Sequence, residues 1–320
     1  MPCESSIEES GRVTALRPMV SADLTGINPL LVRAFTQARR EEGYARPEMP
    51  LCRMEFLRFY GEDTPSACWV AEEDQRLVGA VFGHAWGGTG WIGPLAVSPE
   101  CQHRGQGQAL MAAALHSLHT AGCVCIGLET SPRSHRNIAF YSRLGLVAGP
   151  LMCDMAWTRQ ERRSAKNEVP LSRFSQTPGH FSARVPNLLT RLAVPADYLH
   201  VCRHLQAWSF GESYLHAEVE LFASVQHAMI SSREMRSVSR VLALAACAEI
   251  VLDDLLSFLR AIAEEAHSDY LMLRVPAHDR EMITGLVARG WRIVQTHIRM
   301  YADNAAEPRV QQGIHLNKWD

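Results

Sequence analysis

The chain has 320 residues, 47% of them hydrophobic, which is comfortable for two globular modules with a packed core in each. A net charge of −2 and a pI near 6.7 give no global attraction to a polyanion or an anionic bilayer, so neither nucleic acid nor a membrane is an expected partner. Nine scattered cysteines form neither a disulfide nor a metal framework, the start is acidic and unlike a signal peptide, and the most apolar window, Val241 to Leu252, contains Glu249; a cytoplasmic protein without metal is expected.

In chain order, Met1 to Gly11 is polar and expected to be loose, and Val13 to Pro18 reads as a first strand. Ser21-Ala22-Asp23 caps a helix with apolar positions Leu24, Ile27, Leu31 and Phe35, broken at Gly43 to Pro50; Leu51 to Tyr60 is amphipathic again. Cys68 to Glu73 and Leu77 to Trp86 are strands joined by a tight turn at Asp74-Gln75. Then follow a strand (Trp91 to Ser98), a loop (Pro99 to Gly107), a helix (Gln108 to Ala121), a strand (Val124 to Thr130), a short helix stopped by Gly145, and a closing strand from Val147 to Thr158.

The loop is the centre of the chain. Its glycines, Gly105 and Gly107, let the backbone turn inward at the N-terminus of the following helix, where unpaired N–H groups and the helix dipole favour an anion such as a diphosphate. It is not a P-loop, because Gln108-Ala109 stand where Lys and Ser or Thr would be needed, and not a dinucleotide-binding turn, because Ser98 to Arg104 separate the strand from the glycines. Downstream, Asn137 and Tyr141 are four apart on one helix face, with Phe140 and Leu144 on the adjacent core face.

The combination Gln-x-x-Gly-x-Gly (Gln102 to Gly107) with Asn-x-x-x-Tyr-x-x-x-Gly (Asn137 to Gly145) resembles the GNAT superfamily of acyl-CoA-dependent N-acyltransferases, over roughly Val13 to Trp157. The resemblance implies that Gln102, His103, Arg104, Gly105, Gln106, Gly107 and Gln108 wrap the diphosphate of acetyl-CoA, and that main-chain groups of Leu95, Ala96 and Val97 pair with its pantetheine arm like another strand. A backbone N–H of that strand would polarise the thioester carbonyl, Asn137 would hold the pantetheine amides, and Tyr141 would give its proton to the departing thiolate.

A base is wanted because an amine is mostly protonated near neutral pH. Glu129, near the end of its strand, is ranked first, and His84 is either a second candidate or a histidine of the core edge. Tyr44, Arg46 and Glu48, in the loop that borders the acceptor site in the family, either meet an acceptor or are solvated. His200 and His204 share a helix face but lack a third ligand and read as surface or core residues.

Residues 159 to 186 are rich in Arg, Ser, Lys, Asn, Gln and Pro and read as a linker, with Arg159, Arg162, Arg163 and Lys166 as a solvated basic run. Beyond it the pattern of the first half returns: setting Gly290 on Gly145 gives an offset of 290 − 145 = 145, which also places Leu255 on Leu110, Leu273 on Leu128 and Met300 on Met155. The chemistry does not return, since Gly105 and Gly107 become Ile250 and Leu252, Asn137 becomes Met282 and Tyr141 becomes Leu286. Between Leu188 and Arg240 helices are expected at Ala196 to Trp208 and Ala217 to Met229.

The expected architecture is mixed α/β, with two GNAT-like modules, each a twisted, mostly antiparallel sheet with a central parallel strand pair flanked by helices. The modules would be a catalytic domain at 1–158 and a degenerate one at 187–303, with a linker at 159–186 and a tail at 304–320 that packs on a module or stays free. The expected activity is acetyl transfer from acetyl-CoA to a small-molecule amine rather than a folded protein, without metal, by a pseudo-symmetric monomer or a homodimer. The alternatives are a non-catalytic acyl-CoA sensor and an N-acyltransferase with a longer donor.

Overall fold

The computed structural model describes residues 7–9, 12–159, 169–227, 229–231, 237–302 and 313–318. The first half runs β1 (Ile7–Glu9), β2 (Arg12–Pro18), α1 (Leu24–Glu41), α2 (Met54–Asp63), β3 (Trp69–Glu73), β4 (Arg76–Trp86), β5 (Thr89–Val97), α3 (Gln106–Thr120), β6 (Cys125–Thr130), α4 (His135–Arg143) and β7 (Val147–Thr158). The second runs β8 (Leu171–Arg173), α5 (Pro178–Arg191), α6 (Tyr198–Trp208), β9 (Gly211–His216), β10 (Leu221–Gln226), β11 (Val238–Ala246), α7 (Leu252–Glu265), β12 (Tyr270–Pro276), α8 (Arg280–Ala288), β13 (Arg292–Tyr301) and β14 (Ile314–Asn317). The repeat is close: α4 and α8 begin and end at positions 145 apart, each is capped by a side chain (Ser134, Asp279) that accepts from the main chain three residues on, and Gly145 and Gly290 stop them at φ of 89° and 85°.

The strands form one sheet in the order β1-β2-β3-β4-β5-β6-β13-β7-β12-β11-β10-β9-β8, with β14 pairing β11 off this path. The halves have exchanged their last strands. β7 pairs with β12 and β13 of the second half, and β13 pairs with β6 of the first. Met152 and His297, equivalent positions, face one another where β7 and β13 cross, which places the pseudo-dyad there. Helices cover both faces. α1, α2, α5 and α6 share one core that runs across both halves, whereas α3 and α7 lie over separate cores on the other side.

Three expectations change. Residues 159–186 are not simply a linker: β8 and most of α5 lie there, with Phe174, Phe181 and Val185 buried, and averaging the composition hid apolar residues spaced for a strand and a helix. Ala217 to Met229 is not a helix; β10 occupies it with all six residues buried, and a strand covered on both faces loses the alternation that marks strands. Ile7–Glu9 pairs with β2 inside the segment read as loose. Of the two alternatives for the C-terminal tail, Ile314–Asn317 takes the packed one, as β14 against β11. Arg162, Arg163, Lys166 and Trp319 lie outside the described residues. No described helix is long and apolar enough to cross a membrane.

Candidate active site

Strands β5 and β6 run parallel, paired only from Thr89–Cys125 to Trp91–Gly127, and then part. On the other side of β5 the register with β4 jumps between Val81 and Gly83, which leaves Gly93 and Pro94 in a bulge opposite Phe82. Ser98 donates its N–H to Val78 O on β4. Alternation along the strand then aims the Ala96 N–H at β4 and those of Leu95 and Val97 into the gap. The gap is a cavity of about 880 Å³ between α1, α3 and α4, within the range of small-molecule sites.

At its foot lies the turn. Gly105 has φ of +87° and ψ of −13°, a left-handed conformation that glycine adopts without strain, and an added Cβ would meet nothing within 4 Å. Cys101 and Gln102 N–H groups are tied back to Ser98 and Pro99, and the next tie is Ala109 to Gly105 O. Between them the amides of His103 to Gln108 have no main-chain partner among the described residues, and no side chain caps the helix. His103, Gly105, Gly107 and Gln108 line the cavity. Arg104 instead turns to Glu73 at 3.6 Å, and Gln106 is buried beneath the turn with its amide 2.8 Å from Cys101 O. Gln102 lines the cavity but its side chain braces it, donating to Val97 O at 3.0 Å and accepting from Arg136.

On the opposite wall α4 presents Asn137, whose Nδ2 is 3.4 Å from Thr130 Oγ1, and Tyr141. Tyr141 is half-buried in the lining; burial pushes the pKa of its hydroxyl up to about 12, so it carries its proton at neutral pH. Across the mouth, Arg136 reaches Glu41 at 3.1 Å, and Tyr44 lies between the guanidinium groups of Arg39 and Arg133, 4.8 and 4.7 Å from its ring centre. Arg46 is exposed and Glu48 faces Arg40 at 3.8 Å.

Neither expected base is free to act. Only the main chain of Glu129 is accessible; its side chain is 0% exposed, held by Arg274 and, at 2.6 Å, by Arg299. Two guanidinium groups thus occupy that carboxylate. His84 is closed in as well: Nδ1 is 2.9 Å from Asp63 Oδ2, Nε2 is 3.3 Å from Gly93 O, and the ring stacks on Trp91 at 3.7 Å. The partner that sequence reasoning missed is Asp63, whose other oxygen is 2.9 Å from His200 Nε2. The spacing of His200 and His204 was visible, but their facing α2 is a tertiary fact.

The second half has the same parting of strands, but a strand of the chain lies beside it. β11 and β12 pair only from Val238–Tyr270 to Arg240–Met272, and β14 then lies against Ala243–Ala246, the counterparts of Pro94–Val97 counted from the last shared rung. The chain's own strand thus runs where the first half leaves its groove. Among the described residues no cluster of His, Cys, Asp or Glu is arranged to hold a metal.

A sheet that parts at its parallel pair above an open-amide turn defines a fold of the acyltransferase type. Residues 27–146 match the acetyltransferase (GNAT) family model. Among solved structures, a proposed acetyltransferase from Pyrococcus horikoshii matches over 96% of this chain and 95% of its own (TM-score 0.67, 14% identity). A GCN5-related N-acetyltransferase from Sphaerobacter thermophilus matches over 90% and 95% (0.60, 12%), and a tandem GNAT protein from the clavulanic acid biosynthesis pathway over 90% and 98% (0.57, 16%). No curated protein matches in sequence. Over residues 27–146 the first half is thus similar to the GNAT acetyltransferases, in a fold shared with a tandem GNAT protein.

Proposed function

We propose that the chain is an acetyl-CoA-dependent N-acetyltransferase that uses the groove of its first half and transfers to the amine of a small molecule by direct attack in a ternary complex. The observation that carries this reading is the parting of β5 from β6 above a turn whose amides, His103 to Gln108, point to no main-chain partner. Such amides suit a diphosphate, and the Leu95 and Val97 N–H groups suit an extended amide-bearing arm. The bound donor supplies an activated acyl thioester. Leu95 N–H is the candidate to polarise its carbonyl oxygen, Asn137 to hold the arm, and Tyr141 Oη to give a proton to the sulfur. With Glu129 and His84 committed to protein partners, the proton of the amine leaves to water at the mouth, where Arg133, His135 and Arg136 are exposed.

In this reading the second half, which opens with β8, is a degenerate copy whose groove β14 fills, and the chain is a pseudo-symmetric monomer. All eight described cysteines are free thiols, in keeping with work in the reducing cytoplasm. The test is to follow free thiol release from acetyl-CoA across a panel of amines and aminoglycosides. Release with a restricted set supports the reading; release no faster than in buffer, or equal with every amine, contradicts it.

A further inference from the structure

The groove of the first half is tied from behind to the second half. Because the β4–β5 register skips at the bulge, the Gly93 carbonyl has no rung there, and Pro94 brings no N–H to hold the next peptide. His84 Nε2, at 3.3 Å, takes that carbonyl. The ring is set by Trp91 (stacked at 3.7 Å and 11°) and by Asp63 at 2.9 Å. Asp63 sits at the end of α2 with its side chain 6% exposed, and its second oxygen accepts from His200 on α6 at 2.9 Å. His204, one turn further, is occupied by Phe59 O at 2.8 Å.

We propose that His200, contributed by the second half, is a positioning residue for acyl transfer in the first: it anchors Asp63, which holds His84 on the Gly93 carbonyl and so fixes the peptide that aims Leu95 N–H into the groove. The inference rests on the acetyltransferase reading and gives the second half a part in the reaction. Burial opposes a charge on Asp63, but hydrogen bonds from His200 and His84, with their charges, outweigh it and hold the carboxyl well below its usual range. Without His200 the buried oxygen loses its hydrogen bond on that side, since His204 Nε2 stands 4.0 Å away and is bonded to Phe59 O, and the cheapest relief is for the carboxylate to turn and release His84. Gly93, Leu95 and Asn137 all line the cavity, so a shift of this peptide moves the polarising N–H while leaving the diphosphate turn in place.

The test compares wild type, His200→Ala and His200→Gln in the full chain, the last keeping an amide donor within reach of Asp63. Two readouts are taken: steady-state kinetics, and hydrogen–deuterium exchange of the segment 91–98. For His200→Ala the expected result is a fall in kcat of about tenfold or more with KM for acetyl-CoA changed less than about twofold, since a small misplacement of a reacting group is costly. Exchange should rise in 91–98 and not in 106–120, and His200→Gln should restore most of both. An active wild type with kcat unchanged in His200→Ala overturns the inference, as does exchange that rises evenly over the chain or a defect that His200→Gln does not relieve. An inactive wild type overturns the acetyltransferase reading itself, and the two failures are told apart by the wild-type rate.

Discussion

Glu129 and Arg274 occupy equivalent positions in the two halves, 145 residues apart, and hydrogen-bond to each other. Asp154 and Arg299 are related by the same offset (299 − 154 = 145), and the pairing crosses over: Arg299 also holds Glu129, and Arg274 clasps Asp154 at 2.7 and 2.8 Å. The duplicated sequence thus carries carboxylates in one copy where the other carries guanidinium groups, and the exchanged strands bring them together out of water.

Removing one member leaves its partners buried and under-compensated. Glu129→Ala should cost about 3–5 kcal/mol of stability, the range for breaking a buried ion pair. Denaturant unfolding followed by tryptophan fluorescence measures it. Residues 1–158 expressed alone should not give a cooperatively folding monomer, because β6 loses β13 and Glu129 loses both arginines.

At the turn, Gly105→Ala puts a Cβ on a residue at φ +87°. The expected strain is about 1–2 kcal/mol. Should the turn relax to relieve it, the amides lose their convergence and acetyl-CoA affinity falls, by about tenfold if 1.4 kcal/mol of binding is lost. Calorimetric titration reads the affinity, and circular dichroism checks that α3 remains.

Tyr141→Phe removes the proton donor without emptying its place. We expect kcat to fall by about 10²–10⁴-fold, the usual weight of general acid catalysis, with the Kd for acetyl-CoA nearly unchanged. An unaltered kcat would move the proton to another donor and reopen the reading of the groove as a sensor.

Acidity at the joint between the halves has a definite sign. The hydrogen bond to Asp63 raises the His200 pKa above its ordinary 6.5 against the effect of burial, so its contribution to stability is whole below 6.5 and is lost as pH rises through the higher folded value. Asp63 is shifted down from 3.8, so its contribution is present above that value and is lost only as acid reaches the folded one. The melting temperature should therefore decline as pH rises from 6.5 through the folded His200 value, and less so in His200→Gln.

Local signals made the catalytic stretch legible. Gly105 and Gly145 mark backbone positions where φ is positive, and the spacing of Asn137 and Tyr141 places both on the groove side of α4. Partners of buried groups were not legible, because alternation assigns Glu129 to a face but cannot show that an arginine from the other half waits there. The exchange of β7 and β13 was hidden for the same reason: two equivalent strands carry similar patterns, and either satisfies the edge of β6 until packing chooses. Leu221 to Gln226, inside the segment read as a helix from Ala217 to Met229, failed differently, since a strand buried on both faces shows no period to read.

The central claim is that the groove and open-amide turn of the first half alone receive the donor. Adding coenzyme A to the full chain and mapping backbone amide chemical shifts tests it most directly. The account predicts one molecule bound per chain, with the largest shifts at Leu95 to Val97 and His103 to Gln108 and none at Ala243 to Ala246, where β14 already lies. Shifts in the second half, two molecules per chain, or an unmoved turn from His103 to Gln108 would contradict it.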